Sequence, residues 1–224
     1  AERVDNLFPA EPPGGASTKP RPSVASSHAA RHALDTVFSD VGALKARVHE
    51  CVHHIPSESQ PGPSGLRAEH IKLAWNAHPD FGENFTKLVA ATIAGETAGD
   101  VVSQSVLSLI PKPGGGSRPI GVGEILRRIA GRIAVSLVTE RERLSFEADS
   151  QYILSSHGTA IACRRVAHYA SPSVKMWTLQ LDIENAFNTL RRSAVLQCAP
   201  QHDALEPLIA TLYGTPSPLY IPKL

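Results

Sequence analysis

Asp182 is the residue with the clearest chemical potential in this sequence. It ends the apolar run Leu-Gln-Leu-Asp of residues 179–182, and Phe187 follows five residues later, ahead of Arg191 and Arg192. A carboxylate held at the end of a buried strand offers a fixed oxygen ligand, which a hard cation such as Mg²⁺ prefers. The run therefore predicts one of two structures: a metal-binding acid beside a phosphate-bearing ligand, or an aspartate that only caps the next turn.

A second candidate site is the segment LIPKPGGGSRPI, residues 109–120. Its glycine-rich centre predicts a hairpin, with Lys112 before the tip and Arg118 six residues later. Such cations could close over a triphosphate, the lysine as a point charge and the arginine as a bidentate fork. It is not a Walker A loop, because no Lys-Ser or Lys-Thr pair is present. An ordinary surface hairpin with solvated charges is the alternative.

The stretch from Lys112 to Arg143 is locally basic. It contains seven lysines and arginines against three acids, whereas the whole chain has a formal charge of only +1. Such a local excess suits a sugar–phosphate backbone, where each neutralised phosphate releases counterions. A solvated helix face is the alternative for any single arginine.

Hydrophobic periodicity predicts an α+β fold in which helices outnumber strands. The predicted helices cover His28 to about His54, Leu66–Asn76, Phe81–Ala94, Glu124 to about Phe146, a helix capped by Thr159 and ending at Tyr169, Ser193–Cys198 and Ala204–Tyr213. The predicted strands cover 101–112, 118–122, a strand at 175–182 buried on both faces, and a strand entered after the turn in YGTPSPLYI.

Composition favours a soluble intracellular protein. Hydrophobic residues make up 42% and charged residues 19% of the 224 residues, and three cysteines lie far apart, which suits a reducing compartment. No apolar run reaches the roughly 18 residues that span a bilayer, so no membrane partner is expected. The nucleus is one compartment that this composition leaves open.

Five segments, in order, resemble the reverse transcriptases of non-LTR (LINE-type) retrotransposons over most of the chain after about residue 55. They are QPGPSGLRAEHIK (60–72), VLSLIPKPGGGSRPIGVGEILRRIAGRI (106–133), QYILSSHGTAIACRRVAHY (151–169), LQLDIENAFNTLRR (179–192) and LYGTPSPLYI (212–221). The second segment is the most specific match, and the fourth fits the first palm motif, D-x-x-x-A-F. The chain departs from the family at Ser64, where the family usually shows Asp.

The resemblance implies the fingers of a right-hand polymerase and the first half of its palm, helix-rich with a small incomplete antiparallel sheet. It divides the chain into four parts. These are a flexible Pro/Gly/Ser-rich arm at 1–27, an N-terminal helical segment at 28–55, a fingers-like region at 56–174 and a partial palm at 175–224.

The resemblance also implies a catalytic role for Asp182. This acid would bind both Mg²⁺ ions, with the carbonyl of Ile183 as a further ligand and Phe187 as the steric gate that favours deoxynucleotides. The chemistry would be nucleotidyl transfer to a primer 3′-OH by two metal ions, with an RNA template, a DNA primer and dNTPs as partners.

Two basic groups complete the implied site. Lys112 and Arg118 would contact the incoming triphosphate, while Arg127, Arg128 and Arg132 would contact nucleic acid.

The two further palm acids of the family, in Tyr-x-Asp-Asp, do not occur in these 224 residues. One carboxylate cannot complete the near-octahedral oxygen shells of two Mg²⁺ ions, so we expect an incomplete enzyme that is inactive alone. A second chain or a C-terminal half could supply the missing acids. A non-catalytic nucleic-acid-binding module and a decayed retroelement remnant are the alternatives.

Overall fold

The structure, a computed structural model of the 224-residue chain, describes residues 24–38, 40–170, 179–183 and 186–221. These residues form α1 (Val24–Val37), α2 (Val41–His53), α3 (Ala68–Ala77), α4 (Phe81–Ile93), α5 (Gly99–Val102), β1 (Ser105–Pro111), β2 (Ser117–Gly123), α6 (Ile125–Ala148), α7 (Gly158–Tyr169), α8 (Ala186–Thr189), α9 (Arg192–Cys198), α10 (Glu206–Tyr213) and β3 (Leu219–Tyr220). The helix-rich α+β fold class is confirmed.

No helix in the described ranges combines the length and the apolar character that crossing a bilayer requires.

The chain forms two compact units. The first takes in the described residues up to Leu137 and from Asn188 onward, and the second runs from Val138 to Phe187.

The N-terminal helical segment is two helices where the sequence predicted one. Asp40 has an extended backbone, with φ −161° and ψ 171°, and its carboxylate accepts a hydrogen bond of 2.7 Å from the backbone N–H of Ala43. This side chain satisfies a donor that the first turn of α2 leaves open, so a new helix begins there. Helix α1 begins at Val24, four residues inside the predicted flexible arm, and residues 1–23 lie outside the described residues.

The core of the first unit lies among α1, α2, α3, α4, the start of α6 and α10. Its fully buried side chains come from the apolar faces that the periodicity predicted, and include Val48, Val52, Ile71, Val89, Ile93, Ile125, Ile129 and Ile133. Burying each of these branched side chains contributes on the order of 1.5–3 kcal/mol. The core therefore holds the start of α6 firmly against the N-terminal helices.

A three-stranded sheet of order β2-β1-β3 completes the first unit. β1 and β2 pair antiparallel from Ser105↔Gly123 to Pro111↔Ser117, which confirms the predicted hairpin. The predicted start of its first strand at residue 101 was wrong, because Val101 and Val102 belong to α5. β3, the predicted strand after the turn, pairs parallel with the first two residues of β1. The sheet is therefore mixed, and the prediction of an antiparallel sheet was wrong because β3 runs in the same direction as β1.

The second unit contains the end of α6 and α7, joined by a short loop. Gly158 opens α7, and a Cβ at this position would lie 2.0 Å from the carbonyl oxygen of Tyr152. Only glycine fits this approach. The residue before the helix is His157, so the predicted cap at Thr159 was wrong because Thr159 already lies inside α7. The loop is also held by the hydroxyl of Ser155, which donates to Glu147 at 2.5 Å.

Candidate nucleic-acid interface

Lys112 and Arg118 lie exposed at the outer end of the β1–β2 hairpin. The backbone N–H of Lys112 donates to the carbonyl of Gly116 at 3.0 Å, and Gly115 donates back to the carbonyl of Lys112 at 3.1 Å. Gly115 and Gly116 have φ values of +93° and +77°, which only glycine adopts readily. Neither cationic side chain has a hydrogen-bond or ion-pair partner within the described ranges. Both charges are therefore available to a ligand.

An exposed apolar side chain, Ile110, lies next to Arg118 on one face of the hairpin, and Leu109 is exposed on the opposite face. Leu109 is 55% exposed and Ile110 is 50% exposed, and Ile110 is the cross-strand partner of Arg118. Exposed cations at the end of a hairpin suit a nucleic acid, since they can pair with its phosphates.

The loop of residues 60–65 is fixed to the point where β2 passes into α6. The backbone N–H and the hydroxyl of Ser64 donate to the two carboxylate oxygens of Glu124, each at 2.7 Å, and Glu124 is buried. A Cβ on Gly62 would lie 2.7 Å from the Cα of Glu124, so the loop backbone touches the start of the helix. We call this contact the Ser64–Glu124 clamp. It sets how the hairpin leaves the body of the first unit.

Arg127 and Arg128 already have protein partners. The guanidinium of Arg127, which is half-buried, donates to the carbonyl of Ser103 at 3.1 Å and to the hydroxyl of Ser105, the first residue of β1, at 3.4 Å. Arg128 donates to the carbonyl of Gln60 at 3.3 Å, which adds to the clamp. These contacts are structural, and a nucleic-acid role for either arginine stays a prediction.

Arg132 lies elsewhere, on the rim of a cleft of about 520 Å³. The cleft lies between the end of α2 and the middle of α6, and is lined by Arg47, Glu50, Cys51, His54, Gly131, Arg132 and Val135. A hydrogen bond from Arg47 holds the pKa of the Glu50 carboxyl below its usual value, while burial raises the pKa of the Cys51 thiol. The sequence alone did not indicate this cleft, because its lining comes from two helices about 80 residues apart in the chain.

Asp182 does not end a buried strand in the structure. Residues 179–183 form no strand, Leu179 and Leu181 are 80% and 79% exposed, and residues 175–178 lie outside the described residues. The prediction of a strand buried on both faces was therefore wrong over 179–182, because none of the three strands supplies a neighbouring hydrogen-bond ladder. The carboxylate of Asp182 accepts a hydrogen bond of 3.0 Å from the N–H of Ile183.

The donors for magnesium are incomplete in the described part of the chain. No group of three or more His, Cys, Asp or Glu side chains there lies close enough together to hold a metal ion. Asp182 and Ile183 are exposed, and the side chain of Phe187 lies outside what is described. These residues do not fit a two-magnesium centre by themselves.

The hairpin belongs to the first unit and Asp182 to the second. The predicted grouping of Lys112 and Arg118 with Asp182 therefore stays a prediction. The Ser64–Glu124 clamp was missed at the sequence level, although an acid directly before a long helix was visible at position 124.

Comparisons with protein-family models, with curated proteins and with solved structures found no match to this chain. The sequence resemblance to reverse transcriptases therefore carries a proposal about function and does not establish a family.

Proposed function

We propose that this chain carries the fingers and the first palm motif of a reverse transcriptase, an RNA-directed DNA polymerase of a retroelement. The observation that carries the proposal is the β1–β2 hairpin, which presents Lys112 and Arg118 without protein partners in the described residues. Its ligands would be an RNA template, a DNA primer and dNTPs, all of which carry phosphate groups for the two cations.

The Ser64–Glu124 clamp supports this proposal. A hairpin that grips a triphosphate must point in a fixed direction, because an electrostatic contact loses most of its value when its geometry is loose. The clamp and the Arg127–Ser103 bond hold both ends of the hairpin against α6. The hairpin is thus fixed at its base while its tip carries the charge.

Replacing the hairpin cations tests the proposal. We expect Lys112→Ala and Arg118→Ala each to weaken binding of a labelled RNA–DNA primer–template or of a dNTP. For the primer–template, the slope of the logarithm of the binding constant against the logarithm of the salt concentration should fall in magnitude by about 1 for each cation removed. Fluorescence anisotropy over a series of KCl concentrations measures both quantities. Lys87→Ala, which removes an exposed cation on α4, is the matched control. The proposal fails if neither ligand binds, or if the hairpin variants bind as the parent does.

A second candidate function is nucleic-acid binding without catalysis. It is favoured by Asp182, which is exposed and belongs to no group of three or more possible metal-ligating side chains within the described ranges. Under this function, Asp182→Ala leaves RNA affinity unchanged, and Mg²⁺ with dNTP does not compete with or tighten RNA binding.

Primer extension separates the two candidates when a second polypeptide carrying a Tyr-x-Asp-Asp segment is supplied. We expect these 224 residues alone to give no extension, since one palm acid cannot complete the metal shells. Extension that appears with the second polypeptide and disappears with Asp182→Ala supports the polymerase function. No extension under either condition, together with salt-dependent RNA binding, supports the binding module.

A further inference from the structure

The cleft between α2 and α6 has the character of a ligand site. Both of its walls belong to the first unit, and its volume of about 520 Å³ falls within the range of small-molecule sites. Cys51 forms part of its floor, and the open side is flanked by the charged side chains of Arg47 and Arg132.

The charge in this cleft is only partly compensated. Arg47 pairs with Glu50 at 2.6 Å, whereas Arg132 is exposed and has no hydrogen-bond or ion-pair partner in the part of the chain that the structure describes. The Nδ1 of His54 lies 2.9 Å from the carbonyl of Glu50, and since a carbonyl only accepts, Nδ1 must donate. The Nε2 atom of His54 takes no part in this hydrogen bond. The cleft therefore carries a net positive charge at its mouth.

Gly131 provides a second observation, independent of charge. It lies inside the helix α6, where glycine is less stable than alanine by roughly 1 kcal/mol. A Cβ on Gly131 would meet no atom within 4 Å, so no protein neighbour requires the glycine. Its bare backbone lines the cleft, and the space above it admits a ligand that lies against the helix.

We propose that this cleft binds a phosphate ester, with the guanidinium of Arg132 as its main contact and the open surface over Gly131 as its seat. A planar guanidinium matches two phosphate oxygens at once, which makes arginine the residue best suited to this group. The phosphate could come from a free mononucleotide or from a nucleic-acid backbone. The site is separate from the hairpin cations and does not depend on the proposed polymerase function.

Calorimetric titration of the whole chain tests the proposal with three probes: inorganic phosphate, adenosine 5′-monophosphate and a short single-stranded RNA. We expect Arg132→Ala to weaken binding about tenfold, the size of one lost hydrogen-bonded charge contact. Arg164→Ala, which removes an exposed arginine of α7, should leave the affinity unchanged. We expect Gly131→Ala to weaken binding as well, while it raises the melting temperature because alanine favours the helix. Weaker binding by a more stable protein cannot result from unfolding.

The probes distinguish the source of the phosphate. Binding of phosphate or the mononucleotide that depends on Arg132 supports a small-ligand site. A different result is that only RNA binds, and that this binding still depends on Arg132 when Lys112 and Arg118 are both replaced by alanine. This result supports a site for the nucleic-acid backbone apart from the hairpin. The proposal is overturned if no probe binds saturably, or if Arg132→Ala and Gly131→Ala both bind as the parent does. Unchanged binding by Arg132→Ala and Gly131→Ala leaves the hairpin test unaffected, so the two proposals can fail separately.

Discussion

At the scale of single residues, Ser64 and the carboxylate of Glu124 form a matched pair of hydrogen-bonding groups. The hydroxyl and N–H of Ser64 both donate to this buried carboxylate. An aspartate would place a second acceptor-only carboxylate against Glu124, and like charges at this distance repel. The two positions are therefore chemically matched across 60 residues of sequence.

Replacing Ser64 tests this match. We expect Ser64→Ala to lower the free energy of unfolding by about 1.5–3 kcal/mol, the value of a hydrogen bond to a charged group. Ser64→Asp should be more destabilising, and adding Glu124→Gln should restore part of the loss because an amide can donate to the new carboxylate. Urea unfolding measures all three variants. Ser57→Ala, an exposed serine near the same loop, should change little. Equal stability of Ser64→Asp and Ser64→Ala would contradict the explanation.

At the scale of elements, the end of α2 and the helices α3 and α4 meet in an aromatic cluster. The ring of His49 lies 3.9 Å from that of His53 and 5.2 Å from that of Trp75, between centroids, and Trp75 contacts Phe81 and Phe85 edge-on. Burial, with a smaller contribution from the charge of His53, lowers the pKa of His49 below its ordinary value of 6.5. The cluster therefore favours a neutral imidazole.

This shift predicts a loss of stability in mild acid. At pH values between the ordinary pKa of histidine and the lower pKa of His49 in the folded state, His49 binds a proton in the unfolded chain more readily than in the folded one. Its contribution is fully present above about pH 6.5 and is lost as the pH falls below that value. We expect His49→Gln to reduce the slope of unfolding free energy against pH between about pH 7 and pH 5. Urea midpoints across this range provide the measurement. His32→Gln on α1 controls for loss of an exposed imidazole, and an unchanged slope in His49→Gln would refute the prediction.

At the scale of the whole molecule, the division into two compact units predicts that each region has its own stability. The second unit contains α7 and the loop before it, while the first holds the sheet and the main core. A perturbation confined to one unit should therefore be visible first in the amide exchange of that unit.

Gly158→Ala provides such a perturbation. A Cβ 2.0 Å from the carbonyl oxygen of Tyr152 forces the backbone apart, and we expect a local cost of about 3 kcal/mol or more. Amide hydrogen exchange should accelerate in α7 and stay unchanged in α4. Gly114→Ala, where a Cβ would meet nothing within 4 Å, is the control for the glycine-to-alanine change. Equal acceleration in both helices would show that the chain opens as one cooperative body.

The sequence by itself determined most of the helices, the β1–β2 hairpin and its glycine tip. These features depend on the spacing of apolar residues and on turn chemistry within a few residues, both of which are visible in a linear chain. The break between α1 and α2 was also accessible in principle, because Asp40 caps α2 locally. It was missed because the apolar spacing continues across it.

Only the tertiary structure decided the clamp, the cleft and the state of residues 179–183. The clamp and the cleft join residues at least 60 positions apart, and no local pattern specifies such contacts. A strand forms only where a neighbouring strand supplies hydrogen bonds. The apolar character of the residues before Asp182 therefore did not reveal that Leu179 and Leu181 remain exposed. Hydrophobic spacing fixes which local segments can form, whereas the partner that each segment meets depends on the folded chain.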